Sequence, residues 1–153
     1  MRITFLFPSL FIILLLFSSC EENSDVYYRK KNADLLINKN WVITGHYTRE
    51  NNYLKKDKFV YYDACNRDDT FRFAKNGTYE LNEGPTKCNA NDPQVFQQGT
   101  WKVGYNNLEL TKTGSSSPSN YLIVELNTYK LVLSSTETHQ GDTYQEVLTF
   151  TAQ

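Results

Sequence analysis

Hydrophobic and polar positions divide the chain into three stretches. Ile3 to Phe17 is a nearly unbroken apolar run, Glu21 to Asn32 is polar and aperiodic, and from Trp41 onward apolar residues recur at every second position. Alternation with period two predicts strands with one buried face. It is clearest in Thr70-Phe71-Arg72-Phe73 and Thr78-Tyr79-Glu80-Leu81, and the segment between them sets their register. A two-residue Asn76-Gly77 loop would set Phe73 against Glu80 and Phe71 against Asn82, mixing core and solvent on one face. A three-residue loop, Lys75 to Gly77, pairs Phe73 with Tyr79 and Phe71 with Leu81. It also places Gly77 at the left-handed position of a type I turn with a G1 bulge. Only the second register gives a single buried face.

The same argument predicts two more hairpins. A turn at Gly104 to Asn107 sets Val103 against Leu108 and Trp101 against Leu110. A two-residue Asn127-Thr128 turn pairs Leu126 with Tyr129, Val124 with Leu131 and Leu122 with Leu133. Strands at Trp41 to Thr48 and Tyr144 to Thr151, the latter with Leu148 and Phe150 on one face, bring the total to about eight. Phe59 to Tyr62 fits either a further strand or a loop. Consecutive hairpins joined by short turns make a meander, and closing it into an up-and-down barrel removes its edges. The competing two-sheet sandwich usually needs long Greek-key crossovers. The expected fold is therefore all-β, an antiparallel up-and-down barrel of about eight strands over residues 39–153.

Ahead of the barrel, Asn32 to Asn38 is expected to form one helical turn, with Leu35, Leu36 and Ile37 covering one end of the core. Glu21 to Asn32 reads as a flexible spacer. The apolar run is shorter than the roughly 20 residues of a spanning helix and is interrupted by Pro8-Ser9. Arg2, that run and the small pair Ser18-Ser19 have the layout of an export signal. Cys20 follows directly and resembles the bacterial lipobox cysteine, which becomes a diacylated first residue. The expected organisation is thus a lipoprotein signal peptide at 1–19, a lipidated tether and helical turn at 20–38, and the barrel. Ordinary signal cleavage and an uncleaved anchor are the alternatives.

Cysteine arithmetic bears on the same point, because three cysteines leave one over in an exported chain. Lipidation of Cys20 removes the oddity and leaves Cys65 and Cys88, whose pairing an oxidising compartment favours. Extending the first hairpin outward brings Cys65 opposite Lys87, next to Cys88, within the reach of a disulfide. Two reduced thiols are the alternative. Neither cysteine belongs to a Cys-x-x-Cys redox motif, and two cysteines without nearby histidines do not make a zinc set.

Charge excludes one class of partner. The formal net charge is −1, and no block of Lys or Arg forms the basic stripe that nucleic-acid binding needs. Aromatic residues are abundant instead, with 11 Tyr, 9 Phe and 2 Trp, most of them from Trp41 onward. Leu35-Leu36 before Trp41, Cys65-Asn66-Arg67-Asp68-Asp69-Thr70-Phe71, Asn76-Gly77-Thr78-Tyr79, Cys88 and Gly99-Thr100-Trp101 together resemble the lipocalin-like domain of Gram-negative surface lipoproteins. The resemblance runs from about Leu35 to the C-terminus. It implies a small calycin-like barrel and binding of a small apolar molecule.

No catalytic constellation, cofactor motif or metal set is legible, so the chain is expected not to be an enzyme. His46 and His139 are unpaired in the sequence and read as surface or rim residues. Asp68-Asp69 reads as a turn entering the following hairpin, because Asp readily bonds nearby backbone. Two functions follow. In the first, the barrel holds a small hydrophobic ligand against Trp41, Phe71, Phe73, Tyr79 and Trp101. In the second, a structural or interaction lipoprotein uses loops at the barrel mouth, with Tyr53, Tyr61 and Tyr62 exposed as contacts to an unidentified protein partner. In both, the chain is exported and held by lipid to the outer membrane, on its periplasmic or outer face.

Overall fold

The computed structural model of the protein describes residues 24–51 and 53–153. The expected signal peptide and Cys20 lie outside the described residues. From Ser24 the chain is helical: α1 (Ser24–Leu36) occupies most of the stretch expected to be a spacer. Its polar sequence has little intrinsic amphipathicity, and its last turn holds it in place. Leu36 is fully buried and Ala33 and Ile37 pack beside it, one strip at the three- and four-residue spacing of a helix face. Asn32 Nδ2 donates to the carbonyls of Gly104 and Tyr105 at 3.0 and 2.9 Å. Trp41 Nε1 donates to the Leu36 carbonyl at 2.9 Å, satisfying one of the acceptors that a helix end leaves open.

The remaining elements are β1 (Asn40–Glu50), β2 (Lys56–Asp57), a 3-10 turn (Phe59–Tyr61), α2 (Ala64–Arg67), β3 (Thr70–Phe73), β4 (Thr78–Asn82), β5 (Val95–Val103), β6 (Asn107–Lys112), β7 (Ser119–Leu126), β8 (Lys130–His139) and β9 (Asp142–Ala152). From β3 to β9 each strand pairs antiparallel with the next, and β1 lies between β3 and β9. The β1–β9 ladder runs from Trp41↔Ala152 to Glu50↔Tyr144 and closes the expected eight-stranded up-and-down barrel, with β2 a short flap on β1.

Two of the three hairpins have the expected register. Phe73 faces Tyr79 and Phe71 faces Leu81, with Gly77 at φ 84°. Asn76 Oδ1 fixes that turn by accepting from the Thr78 amide at 3.1 Å and the Thr78 hydroxyl at 2.8 Å. Trp101 faces Leu110 and Val103 faces Leu108. The third hairpin departs from expectation. Leu126 pairs with Leu131 and Ile123 with Leu133, with a bulge between Ile123 and Glu125. Asn127 is the cause: its Oδ1 accepts from the amides of Tyr129 and Lys130, so Thr128 and Tyr129 form the tip. The turn shift keeps Leu126 on the inner face, opposite Leu131; the bulge at Val124 then reverses the parity of the rest of β7, leaving Leu122 and Val124 each at least half exposed and turning Tyr121 and Ile123 in.

The barrel has a closed and an open end. At the closed end α1 packs under a core of Leu36, Trp41, Phe73, Trp101, Leu108 and Leu131. Each such side chain, fully buried, contributes about 1.5–3 kcal/mol. At the open end β1 and β3 stay paired only over Asn40–Val42, then diverge. The 3-10 turn and α2 fill the gap. Cys65 and Cys88 form a disulfide with Cα atoms 5.2 Å apart. They do not extend the hairpin ladder, which stops at Thr70↔Asn82; Cys65 sits on α2. The bridge ties α2 to the loop between β4 and β5. Gly84 allows that loop to pass closely, since a Cβ there would lie 2.0 Å from the Asp68 carbonyl oxygen. Asp68 Oδ2 then accepts from the Thr86 amide at 3.0 Å and its hydroxyl at 2.5 Å, a contact across 18 residues rather than the local turn expected of the Asp pair.

Candidate functional site

A cavity of about 410 Å³ opens at the disulfide end of the barrel. Trp41, Ile43, Phe71, Leu81, Leu110, Leu133, Leu148 and Phe150 form its apolar floor and walls. His46, Tyr62, Asn66, Asp69, Gln97, Tyr121 and Glu146 give it a polar upper wall, with Phe96 beside them. Its volume lies within the range of pockets that enclose small molecules.

Two β-bulges bring His46 and Phe96 into the upper part of the cavity. Pairing of β1 with β9 skips from Ile43↔Phe150 to Gly45↔Thr149, so Thr44 is the extra residue and the inward parity of β1 changes there. His46 consequently faces Leu148 inside the barrel. A second irregularity, where Leu81 pairs with Gln97 but Asn82 with Val95, frees Phe96 to reach the mouth. Bulges at barrel rims re-aim side chains in this way. Glu146 needs no bulge, because it shares the inward face of β9 with Leu148 and Phe150.

His46 stands between two partners. Its Nδ1 lies 2.9 Å from the Tyr62 hydroxyl, and its Nε2 lies 2.9 Å from Glu146 Oε1. The second approach is off the N–H axis and leaves Nε2 without an aligned hydrogen bond, so it is a close contact rather than a directed bond. Burial raises the Tyr62 hydroxyl above its ordinary value, with the Glu146 carboxylate adding to the shift. Tyr121 is raised for the same two reasons, in the same order, with smaller additions from Tyr79 and Glu137.

Asp69 is pushed up to about 6, first by burial, then by the Glu83 carboxylate and less by Asp68, against the stabilising backbone hydrogen bond from Gly84. Its Oδ1 is buried without a hydrogen-bond partner. Raising a carboxyl above its unfolded value of 3.8 means the folded chain holds more protons through that interval, so stability falls as pH rises from about 4 to about 6. Asp69→Asn is therefore expected to flatten the pH dependence of the urea midpoint across this window. A wild-type profile equally flat there would remove the assignment.

The five aromatic residues expected to line a ligand site divide into two groups. Trp41 and Phe71 line the cavity. Phe73, Tyr79 and Trp101 do not; they fill the interior beside and below it. Phe73 lies edge-on to Trp101 at 5.4 Å, Trp101 Nε1 donates to the Ala74 carbonyl at 3.1 Å, and Tyr79 is 1% exposed. His46, placed at the surface or rim by the sequence, has a side chain only 15% exposed and stands inside the mouth. Tyr62 was expected among exposed contacts and is instead part of the cavity wall, whereas Tyr53 and Tyr61 are exposed. Among the described residues no group of three or more His, Cys, Asp or Glu converges as metal ligands would.

A family model for the lipocalin-like domain matches residues 37–133, more than half of the 153-residue chain. No curated protein matches the chain.

Proposed function

From the premise that the chain belongs to the lipocalin-like domain family, we propose that it is a non-catalytic binding lipoprotein whose barrel takes up one small, largely apolar molecule through the disulfide-bearing mouth. The observation that carries this function is the cavity, about 410 Å³ with an apolar floor and a polar upper wall. A solidly packed interior would have left no room for a ligand, and an eight-stranded barrel is wide enough to hold one.

Attachment through Cys20 to the outer membrane completes the proposal. Four Cα steps separate Cys20 from Ser24, so α1 begins within about 15 Å of the anchor. Because α1 packs at the closed end, the mouth opens away from that end. Mass spectrometry of the mature N-terminus tests the anchor, and an unmodified Cys20 refutes it.

Phenylnaphthylamine, a neutral apolar fluorophore, tests the cavity. It is expected to bind the full chain at micromolar concentration with blue-shifted emission and quenching of Trp41. Leu148→Trp, which places an indole ring in the empty space, is expected to weaken that binding at least about tenfold while the chain stays folded. Equal binding by the variant would place the probe elsewhere. The exposed Tyr53, Leu54 and Tyr61 support the second function, a protein contact through loops at the mouth. Loss of a partner on replacing those three, with probe binding intact, would favour it.

A further inference from the structure

We propose that the cavity selects amphiphiles whose polar end is a cation, a primary or secondary ammonium on an apolar body, and discriminates against those ending in a carboxylate. The proposal rests on the binding function above and names the class of ligand.

The charge of the wall carries the argument. Two carboxylates, Asp69 and Glu146, line the cavity, and among the described residues no Lys or Arg does. They stand on either side of β1, Glu146 on β9 and Asp69 one residue before β3, and so face one sector of the mouth. His46 lies between them, with its two ring nitrogens beside Tyr62 and Glu146. Arg67, on α2, is turned to other groups. Its Nε donates to the Tyr62 carbonyl at 3.0 Å, its Nη2 to the Val60 carbonyl at 3.4 Å, and its guanidinium lies 5.2 Å from the centre of the Phe59 ring. A ligand carboxylate entering here would meet like charge with no Lys or Arg in the wall to oppose it. An ammonium would meet an acceptor that lacks a donor, since Asp69 Oδ1 is buried and unpartnered.

Independent groups report the same field. Asp69, Tyr62 and Tyr121 are all shifted toward their protonated forms, first by burial and then by neighbouring carboxylates, Glu83 and Asp68 beside Asp69 and Glu146 beside the two tyrosines. A cation at the mouth relieves that crowding. Below it the apolar floor accepts an alkyl or aryl body, so the cavity has the polarity of such an amphiphile from rim to base.

The test compares decylamine, decanol and decanoate, which share a chain and differ in head group, as displacers of phenylnaphthylamine from the full chain at neutral pH. Decylamine is expected to displace the probe at a concentration at least about tenfold lower than decanoate, with decanol between them. In Asp69→Asn combined with Glu146→Gln the amine-to-carboxylate ratio is expected to fall toward one. Glu146→Gln alone, which leaves the α2 junction untouched, gives a partial fall. Decanoate equalling or exceeding decylamine while the probe binds would overturn the proposal and leave the binding function standing. A ratio unchanged in both variants would overturn the role of the two carboxylates. Failure of the probe and of all three displacers to bind would overturn the binding function and this proposal with it.

Discussion

Replacing Trp41 with alanine is expected to cost about 3–5 kcal/mol of folding stability, the range for removing a large buried aromatic. Trp41 is fully buried and serves two structures at once. Its ring forms part of the cavity floor, and its Nε1 donates to the Leu36 carbonyl, holding the C-terminal end of α1 against the barrel. Alanine empties the floor into the cavity above and leaves that carbonyl without its donor. Trp41→Phe separates the contributions, since it keeps most of the ring and loses the N–H. It should cost about 1 kcal/mol, seen as faster amide exchange in α1 with little change in β5 and β6. Urea denaturation of both variants checks the magnitudes. A loss below about 1 kcal/mol for Trp41→Ala would contradict a packed floor.

Trp41 was legible because alternation holds along β1 as far as Ile43, and turn chemistry agreed with alternation at two of the three hairpins. The Lys75 to Gly77 loop and the Gly104 to Asn107 turn set two hairpins correctly, and the cavity residues Phe71, Leu81 and Leu110 follow from them. Glu146 was legible on the same basis, two positions before Leu148 on one face of β9. The polar wall was otherwise hidden by bulges. Counting in twos from Trp41 turns Gly45 and Tyr47 inward, and only the extra residue at Thr44 brings His46 into the barrel. The Asn127 side chain displaced the third turn by one residue, and the extra residue at Val124 exchanged Leu122 for Tyr121 on the inner face. Alternation cannot register an inserted residue, because each side of a bulge still alternates. Tyr62, Asn66 and Asp69 were missed for another reason. They lie on irregular chain that fills the gap between β1 and β3, and their positions depend on a contact with the β4–β5 loop that is remote in sequence. α1 was hidden by its polar surface, with only the Ala33, Leu36, Ile37 strip to mark it.

That remote contact leads to the second large effect. Replacing Cys65 and Cys88 together with serine is expected to remove about 3 kcal/mol, the chain-entropy value for bridging residues 23 apart. The consequences differ across the molecule. In the unfolded chain the bridge restricts the whole segment from α2 to the β4–β5 loop, so global stability falls. In the folded chain it holds α2, which carries Asn66 and leads into Asp69, against a loop otherwise joined there by the Asp68–Thr86 hydrogen bonds and the Gly84 backbone bond to Asp69. Those bonds are largely exposed, and exposed bonds open at low cost. Amide exchange at residues 62–69 should therefore accelerate in the variant beyond what the global loss explains, while β5, β6 and β8 follow the global change. Probe affinity should weaken with it, because three groups of the cavity's upper wall, Tyr62, Asn66 and Asp69, lie on that segment. A fall in stability with no excess exchange at residues 62–69 would show that the hydrogen bonds of Asp68 and Asp69 to the loop hold the mouth without the bridge, and that the disulfide acts through the unfolded chain alone.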